Sequence, residues 1–344
     1  MNPIKRELLN GLFVLVLASL MSAVFAAKRF YLMLLRKRGA SSTEMAIKTF
    51  SPMRYTTLLA AVCMLIAGNA DATPRSRMFE VARGVQIHFL EEGNPSRQPT
   101  LVFIPGWRCT ASIWSHQLQA FSSEQQVIAI DPRSQGNSTK TDEGDTPEQR
   151  ARDYRLLLTS LHLEPVILVG WSQGVQDVAA YVDQYGTNGV KAVVLVDSTI
   201  SGGASNIPVT LQFAVRQLQL LALFADSPRE YTEGMIRAII SKPISEAVLN
   251  DLVSGALETP TATAEAMLVA DLFGKDRTSA IGKFRVPTLV IASARSEELA
   301  EQRELASKLP QGRIEVVDQA AHAVFIDQPD RFEAILRNFV NRVS

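Results

Sequence analysis

The 344-residue chain is poor in the residues that build metal and disulfide sites. It has only two cysteines and four histidines, and no metal-ligand spacing joins them. Cys63 lies in an apolar run near the N-terminus, so Cys109 is the one thiol of the remaining chain and a disulfide within that part is excluded. Glycine-rich phosphate loops and nucleotide signatures are lacking as well. The sequence therefore predicts neither a metal nor a cofactor.

The chain also lacks an excess of charge of either sign. It has 35 basic and 35 acidic side chains, but nine of the basic and only three of the acidic ones fall in residues 1–72. The remaining chain, called the body below, therefore carries a net charge of −6. An acidic body without a basic stripe argues against a nucleic-acid partner. The whole chain is 47% hydrophobic and long enough to bury a large core.

Two apolar runs mark residues 1–72, which we predict lie outside the fold. Residues 8–27 are uncharged and long enough to span a bilayer as a helix. Residues 55–68 follow a basic residue and end close to an A-x-A sequence, as a secretory signal peptide does. Either residues 8–27 form a membrane segment, or translation begins at Met53. Both alternatives predict that the body is exported, either periplasmic or secreted, or is anchored to a membrane outside the cytoplasm.

Short apolar strands alternate with amphipathic helical segments along the body. The predicted strands are residues 85–90, 101–104, 127–130, 165–169, 192–196, 288–292 and 313–317. Such alternation indicates an α/β fold with a mostly parallel, doubly wound sheet that is covered by helices on both faces. The alternation stops at about residues 200–283, where helical segments are predicted at 211–224, 231–240 and 246–257. We interpret this insertion as a helical cap over a site.

The most informative motif is Gly-Trp-Ser-Gln-Gly at residues 170–174, directly after an apolar strand. A G-x-S-x-G pattern between a strand and a helix predicts a nucleophilic serine on a sharp turn. Ser172 would then lie at the carboxyl end of the sheet. A serine hydroxyl needs a base beside it. His322 follows the last predicted strand and should reach the same edge, whereas His88 lies within a strand and is predicted to be structural.

Acyl transfer also needs backbone N–H groups to stabilise an oxyanion. We predict that these come from Gln173, which follows the serine, and from Trp107, in the loop after the strand at 101–104. Gly106 lets that loop approach closely. Gly106 and Trp171 are predicted to line the substrate pocket, with Trp107 and Trp171 as its aromatic walls, because such pockets are mostly apolar and aromatic.

These segments resemble the α/β-hydrolase fold superfamily, in its serine esterase and non-haem haloperoxidase-like branch, over residues 84–342. Residues 131–138 look like that family's D-x-R-G-x-G-x-S segment, with Ser134 where glycine is usual. His322 and residues 327–332 are similar to its histidine loop and last helix. The resemblance implies a doubly wound sheet of the α/β-hydrolase type, with the helical cap inserted after the sixth strand.

The acid of a Ser-His-acid triad stays open at this point. The resemblance implies an aspartate after the strand at 288–292, but that position holds Ser296, followed by Glu297 and Glu298. Asp197 directly follows the predicted strand at 192–196, at the same edge of the sheet, and is the first candidate for the acid. Glu298 or Glu297 is the alternative, and a site without an acid is the third possibility.

The sequence as a whole favours a serine hydrolase that cleaves small or medium carboxylic esters through an acyl-enzyme. One alternative is a cofactor-free haloperoxidase, perhydrolase or C–C hydrolase that uses the same triad. Another is a non-catalytic ligand-binding protein on a hydrolase scaffold, which the unusual Ser296 leaves open. The apolar helix at 211–224 also suggests a membrane-associated enzyme that acts on lipid-like esters.

Overall fold

The computed structural model describes residues 73–201 and 211–344. The predicted membrane segment, signal peptide and alternative start at Met53 lie outside these residues, as does the beginning of the predicted cap. Of the helices in the described ranges, none is both long and apolar enough to cross a bilayer.

Eight strands of the described chain form one sheet, in the order β1-β2-β4-β3-β5-β6-β7-β8. The strands are β1 Arg75–Ala82, β2 Val85–Glu92, β3 Thr100–Ile104, β4 Val127–Ile130, β5 Val166–Trp171, β6 Val190–Val196, β7 Thr288–Ser293 and β8 Gly312–Val317. The pairs β1/β2 and β2/β4 are antiparallel, and all other neighbours are parallel. The predicted fold class, a mostly parallel sheet of the α/β type, is confirmed.

Helices cover both faces of this sheet. They are α1 Ser115–Phe121, α2 Pro147–Ser160, α3 Gln173–Tyr185, α4 Leu211–Asp226, α5 Pro228–Ile239, α6 Glu246–Leu257, α7 Thr261–Phe273, α8 Leu299–Lys308, α9 Val324–Asp327 and α10 Pro329–Val343. β3, β4 and β5 are buried along their whole length. Alternate residues of these strands belong to two separate apolar clusters, one with α10 and one with α2 and α3. Burial on both faces explains why these strands read as continuous apolar runs.

β1 and α7 are among the elements that have no counterpart in the sequence predictions. β1 is an edge strand whose residues are mostly exposed, so it carries no apolar alternation. α7 is apolar on nearly every face and therefore lacks the single stripe that marks a helix. The four helices α4 to α7 lie between β6 and β7, where the cap is predicted. Their role as a cap stays a prediction.

The turn between β5 and α3 is made by close backbone contacts. Ser172 has φ 55° and ψ −122°, a left-handed conformation that residues with a side chain rarely adopt. A Cβ atom on Gly170 would lie 2.3 Å from the carbonyl oxygen of Gly174. A Cβ atom on Gly174 would lie 2.5 Å from the carbonyl oxygen of Ile104. Both positions therefore require glycine.

We expect the substitution Gly170→Ala to lower the midpoint of thermal unfolding, because its methyl group must displace the backbone of Gly174 in the first turn of α3. Overpacking of this kind costs about 1–3 kcal/mol. Gly234→Ala, within α5, is the matched control, since nothing lies within 4 Å of its Cβ position. There alanine should raise the midpoint slightly, because glycine weakens a helix interior. Circular dichroism melts of both variants check this, and equal midpoints would contradict it.

Candidate active site

Ser172 lies at the carboxyl edge of the sheet, between the end of β5 and the first residue of α3. Its backbone N–H donates to the carbonyl oxygen of Val196 at 3.1 Å, which ties the turn to the end of β6. α3 begins at Gln173. The first N–H groups of a helix have no acceptor within the helix, and the helix dipole is positive at this end. The surroundings of the partly exposed serine therefore favour negative charge.

The loop after β3 lies directly against this serine. A Cβ atom on Gly106 would lie 2.9 Å from the Cβ atom of Ser172 and 3.2 Å from the ring of Trp171. Trp107 follows Gly106 in this loop, and Gln173 follows the serine. The close approach therefore brings the backbone at both predicted oxyanion donors near Ser172.

His322 and Asp197 come together at the same edge of the sheet. Nδ1 of His322 lies 2.9 Å from Oδ2 of Asp197, whose side chain is almost completely buried. The other oxygen of Asp197 accepts the backbone N–H of Ser293 at 2.8 Å. An ionised carboxylate can only accept, so neutral His322 donates from Nδ1. Its Nε2 is then left with a free lone pair, as a general base requires.

Trp171 connects the serine turn to the histidine loop. Its indole N–H donates to the carbonyl oxygen of His322 at 2.9 Å, and the two ring centroids are 5.2 Å apart. Trp171 is 1% exposed and packs edge-on against Trp114 and Phe325. These contacts make it a support for His322. Its predicted role as a pocket wall, together with Gly106, stays a prediction.

Glu298, the alternative acid, lies close to this pair. Burial raises the pKa of its carboxyl group, Asp197 adds to the increase, and the nearby His322 opposes it. Its Oε2 accepts the hydroxyl of Ser198 at 3.4 Å. The hydroxyl of Ser296 accepts the backbone N–H of Glu298 at 3.3 Å. Ser296 therefore lies just before the start of α8. Of the acids predicted from sequence, Asp197 is the one that holds the Nδ1 atom of the histidine.

The inserted helices pack on the loop after β3. The indole N–H of Trp107 donates to the carbonyl oxygen of Ala264, in α7, at 2.8 Å. Arg108 is completely buried, with its guanidinium 4.3 Å from the ring centroid of Phe224 and its Nη2 2.7 Å from the hydroxyl of Thr232. Burial lowers the pKa of Arg108 to about 10, which leaves it charged at neutral pH. α4, α5 and α7 thus all contact this loop.

Sequence reasoning missed a buried ionic network beneath Gln173. The side-chain amide of Gln173 donates to Asp271, on α7. Asp271 also lies 3.3 Å from Nη2 of Arg150, which pairs with Asp177 at 2.8 Å. Burial raises the pKa of Asp271 to about 6, although Arg150 opposes the increase. The signal in the sequence is a single charge within the otherwise apolar residues 266–273.

The raised pKa of Asp271 predicts a pH dependence of stability. Its pKa is about 6 in the folded protein against an ordinary 3.8, so the folded protein retains a proton that the unfolded chain releases within this window. Its contribution to the free energy of unfolding therefore falls as the pH rises from about 4 to about 6. We expect Asp271→Asn to remove that decrease, in urea denaturation at both pH values. Asp251→Asn, at an exposed position, is the control. The same decrease in both variants would contradict the prediction.

Comparisons with known proteins identify the family of this chain. Residues 101–335 match the profile of the alpha/beta hydrolase family. The non-haem chloroperoxidase CPO-A1 of Kitasatospora aureofaciens is 26% identical over 275 residues, which span 75% of this chain and 97% of that protein. The bifunctional esterase/perhydrolase DCH of Acinetobacter calcoaceticus is 31% identical over 116 residues, 33% of this chain and 42% of that protein.

Among solved structures, the crystal structure of a bromoperoxidase from Bacillus anthracis superposes with a TM-score of 0.71 at 19% identity, covering 78% of this chain and 100% of that chain. This likeness shows the fold. The family profile spans more than half of the sequence, and the chain therefore belongs to the alpha/beta hydrolase family.

Proposed function

We propose that this protein is a serine hydrolase that cleaves small or medium carboxylic esters through an acyl-enzyme on Ser172. The observation that carries the proposal is the 2.9 Å contact between His322 and Asp197 at the edge of the sheet where the serine turn lies. A histidine held at Nδ1 by a buried carboxylate is the arrangement that activates a serine hydroxyl.

In the first half of the reaction, the Ser172 hydroxyl oxygen bonds to the ester carbonyl carbon while Nε2 of His322 takes its proton. Asp197 stabilises the imidazolium that forms. The backbone N–H groups of Trp107 and Gln173 donate to the oxyanion. Removing one such donor typically lowers kcat by about 10²–10³-fold, so the close approach of the loop matters to the rate. The alcohol then leaves with the proton from His322.

In the second half, water replaces the alcohol. Nε2 of His322 takes a proton from the water molecule as its oxygen bonds to the acyl carbon. The same donors stabilise the second tetrahedral intermediate, and the carboxylic acid leaves as Ser172 recovers its proton. The imidazole is partly exposed, with 32% of its side-chain surface accessible, so water can reach the ring.

Two observations support Asp197 as the acid. It contacts Nδ1 of His322 directly, and its second oxygen is fixed by the N–H of Ser293, so the imidazole is held in one orientation. Glu298 has a raised pKa and bonds to Ser198. The carboxyl group of Glu298 thus contacts a hydroxyl, whereas that of Asp197 contacts the imidazole itself.

The inserted helices support the predicted cap. Trp107, a proposed oxyanion residue, forms a hydrogen bond to α7 through its indole N–H. The side chain of Gln173 forms a hydrogen bond to Asp271, also on α7. Both residues that are proposed to stabilise the oxyanion therefore contact the inserted helices. We expect the aromatic surface around Trp107 to receive the acyl group of a small-molecule ester.

A second candidate function is perhydrolysis, which the similarity to a chloroperoxidase and to an esterase/perhydrolase favours. Here hydrogen peroxide takes the place of water at the acyl-enzyme, and a peracid is released. The two functions share Ser172 and its acyl-enzyme, and they differ in the molecule that attacks it.

We expect Ser172→Ala to lower both p-nitrophenyl butyrate hydrolysis and peracid formation from acetate and peroxide by about 10³-fold or more, since both need the nucleophile. Ser307→Ala, at an exposed serine, is the control and should leave both rates unchanged. Fluorophosphonate labelling, located by peptide mass spectrometry, should modify Ser172. An unlabelled Ser172 in a chain without turnover would instead indicate a non-catalytic binding protein.

Amide substitutions show which of the two candidate acids acts on His322. Asp197→Asn should lower kcat for p-nitrophenyl butyrate by about 10³–10⁴-fold, because an amide at this position stabilises the wrong tautomer of His322. Glu298→Gln should change kcat less than about tenfold, as expected of a group that acts only through its charge at a distance. Steady-state kinetics of both variants test this. The opposite order would assign the acid to Glu298.

A further inference from the structure

A second serine, histidine and aspartate lie in contact away from the residues used above. Ser76, on β1, has its Oγ 2.8 Å from Nε2 of His88, on β2. Nδ1 of His88 lies 2.7 Å from Oδ2 of Asp131, directly after β4. The sequence predicts only a structural role for His88. Its contacts, however, have the same order as those expected at the proposed active site.

The direction of these hydrogen bonds follows from the chemistry of the groups. An ionised carboxylate only accepts, so Nδ1 of neutral His88 donates to Asp131. Nε2 then carries the lone pair, and the Ser76 hydroxyl must be the donor at 2.8 Å. This is the polarity in which a histidine removes the proton of a serine.

The histidine and the aspartate are held rigidly. The backbone N–H of His88 donates to the hydroxyl of Ser138 at 2.9 Å, and its carbonyl oxygen accepts the N–H of Asp131 at 2.9 Å. The carboxylate of Asp131 also accepts the backbone N–H groups of Asn137 and Ala111. His88 and Asp131 are 4% and 1% exposed. The imidazole is therefore preorganised toward Ser76.

Ser76 itself is exposed, and its partner His88 lines a cavity. Ser76 pairs with Leu90 across the β1/β2 ladder, which puts both side chains on the face of the sheet that carries His88. A cavity of about 260 Å³ opens on this face, lined among others by His88, Leu90, Thr110, Ser112, Asn137 and Glu258. The hydroxyl, amide and carboxylate groups of this lining can form hydrogen bonds, and its one leucine offers little apolar surface. The cavity therefore suits a small polar acyl group.

We propose that Ser76 is a second nucleophile of this protein, which accepts a small acyl group from an activated ester with His88 as its base. The Ser76 Oγ bonds to the carbonyl carbon while its proton passes to Nε2 of His88. The ester C–O bond then breaks and the leaving group departs as an alkoxide or phenolate. The imidazolium gives its proton to solvent. The product is an O-acylated Ser76.

The experiment uses the full chain with Ser172→Ala, so that its result does not depend on the proposed hydrolase function. The protein is incubated with p-nitrophenyl acetate, and the acetyl group is located by peptide mass spectrometry over time. Ser307 is the internal reference, because it is also exposed but its hydroxyl donates to a backbone carbonyl oxygen. General-base catalysis typically contributes about 10²–10⁴-fold, so Ser76 should be acetylated at least about 10²-fold faster than Ser307.

Two further measurements separate a base from a structural histidine. His88→Gln in the Ser172→Ala chain should reduce acetylation of Ser76 to the rate of Ser307. The second measurement needs no further substitution: acetylation of Ser76 should be slower in D₂O than in H₂O, because its hydroxyl proton moves to Nε2 of His88 as the new bond forms. Acetylation of Ser76 no faster than that of Ser307, or an equal rate in D₂O and H₂O, would overturn the proposal.

Discussion

Three chain segments meet at Ser172 at distances that leave no space for a Cβ atom. The loop after β3, the end of β5 and the first turn of α3 are locked together there, and glycine occupies each point of closest contact. This packing forces the left-handed backbone of the serine and starts a helix directly behind it. It also carries the loop with Trp107 to the place where an oxyanion would form. The buried parallel strands on either side make the arrangement stiff enough to hold.

The position of Asp197 follows from the order of the strands. β6 and β7 are parallel neighbours, so their carboxyl ends lie side by side and an acid at either end can reach the same histidine. Asp197 is fixed there by two main-chain contacts to β7: its N–H donates to Ile291 and its carboxylate accepts from Ser293. Ser296 is then free to bond to the first turn of α8. In the proposed triad, the acid tolerates this kind of relocation because it acts through the imidazole and never touches the substrate.

The sequence was sufficient to predict the buried strands, the serine turn and the edge on which His322 arrives. Each of these depends on local patterns, namely apolar runs, a glycine-flanked motif and the direction of parallel strands. It was insufficient for Asp271 and for His88. Their partners come from other elements, and which side chains meet depends on register and packing that no local pattern encodes. β1 was missed for the simpler reason that an exposed edge strand buries too little to show alternation.

Arg108 gives the insertion an unusual attachment. Its guanidinium is buried between the loop after β3 and helices α4 and α5, where it contacts Thr232 and the ring of Phe224. A charge without water is costly, and the lowered pKa of Arg108 reflects that cost. The lost hydration of this one cation therefore opposes the apolar contacts that hold α4 and α5 on the loop.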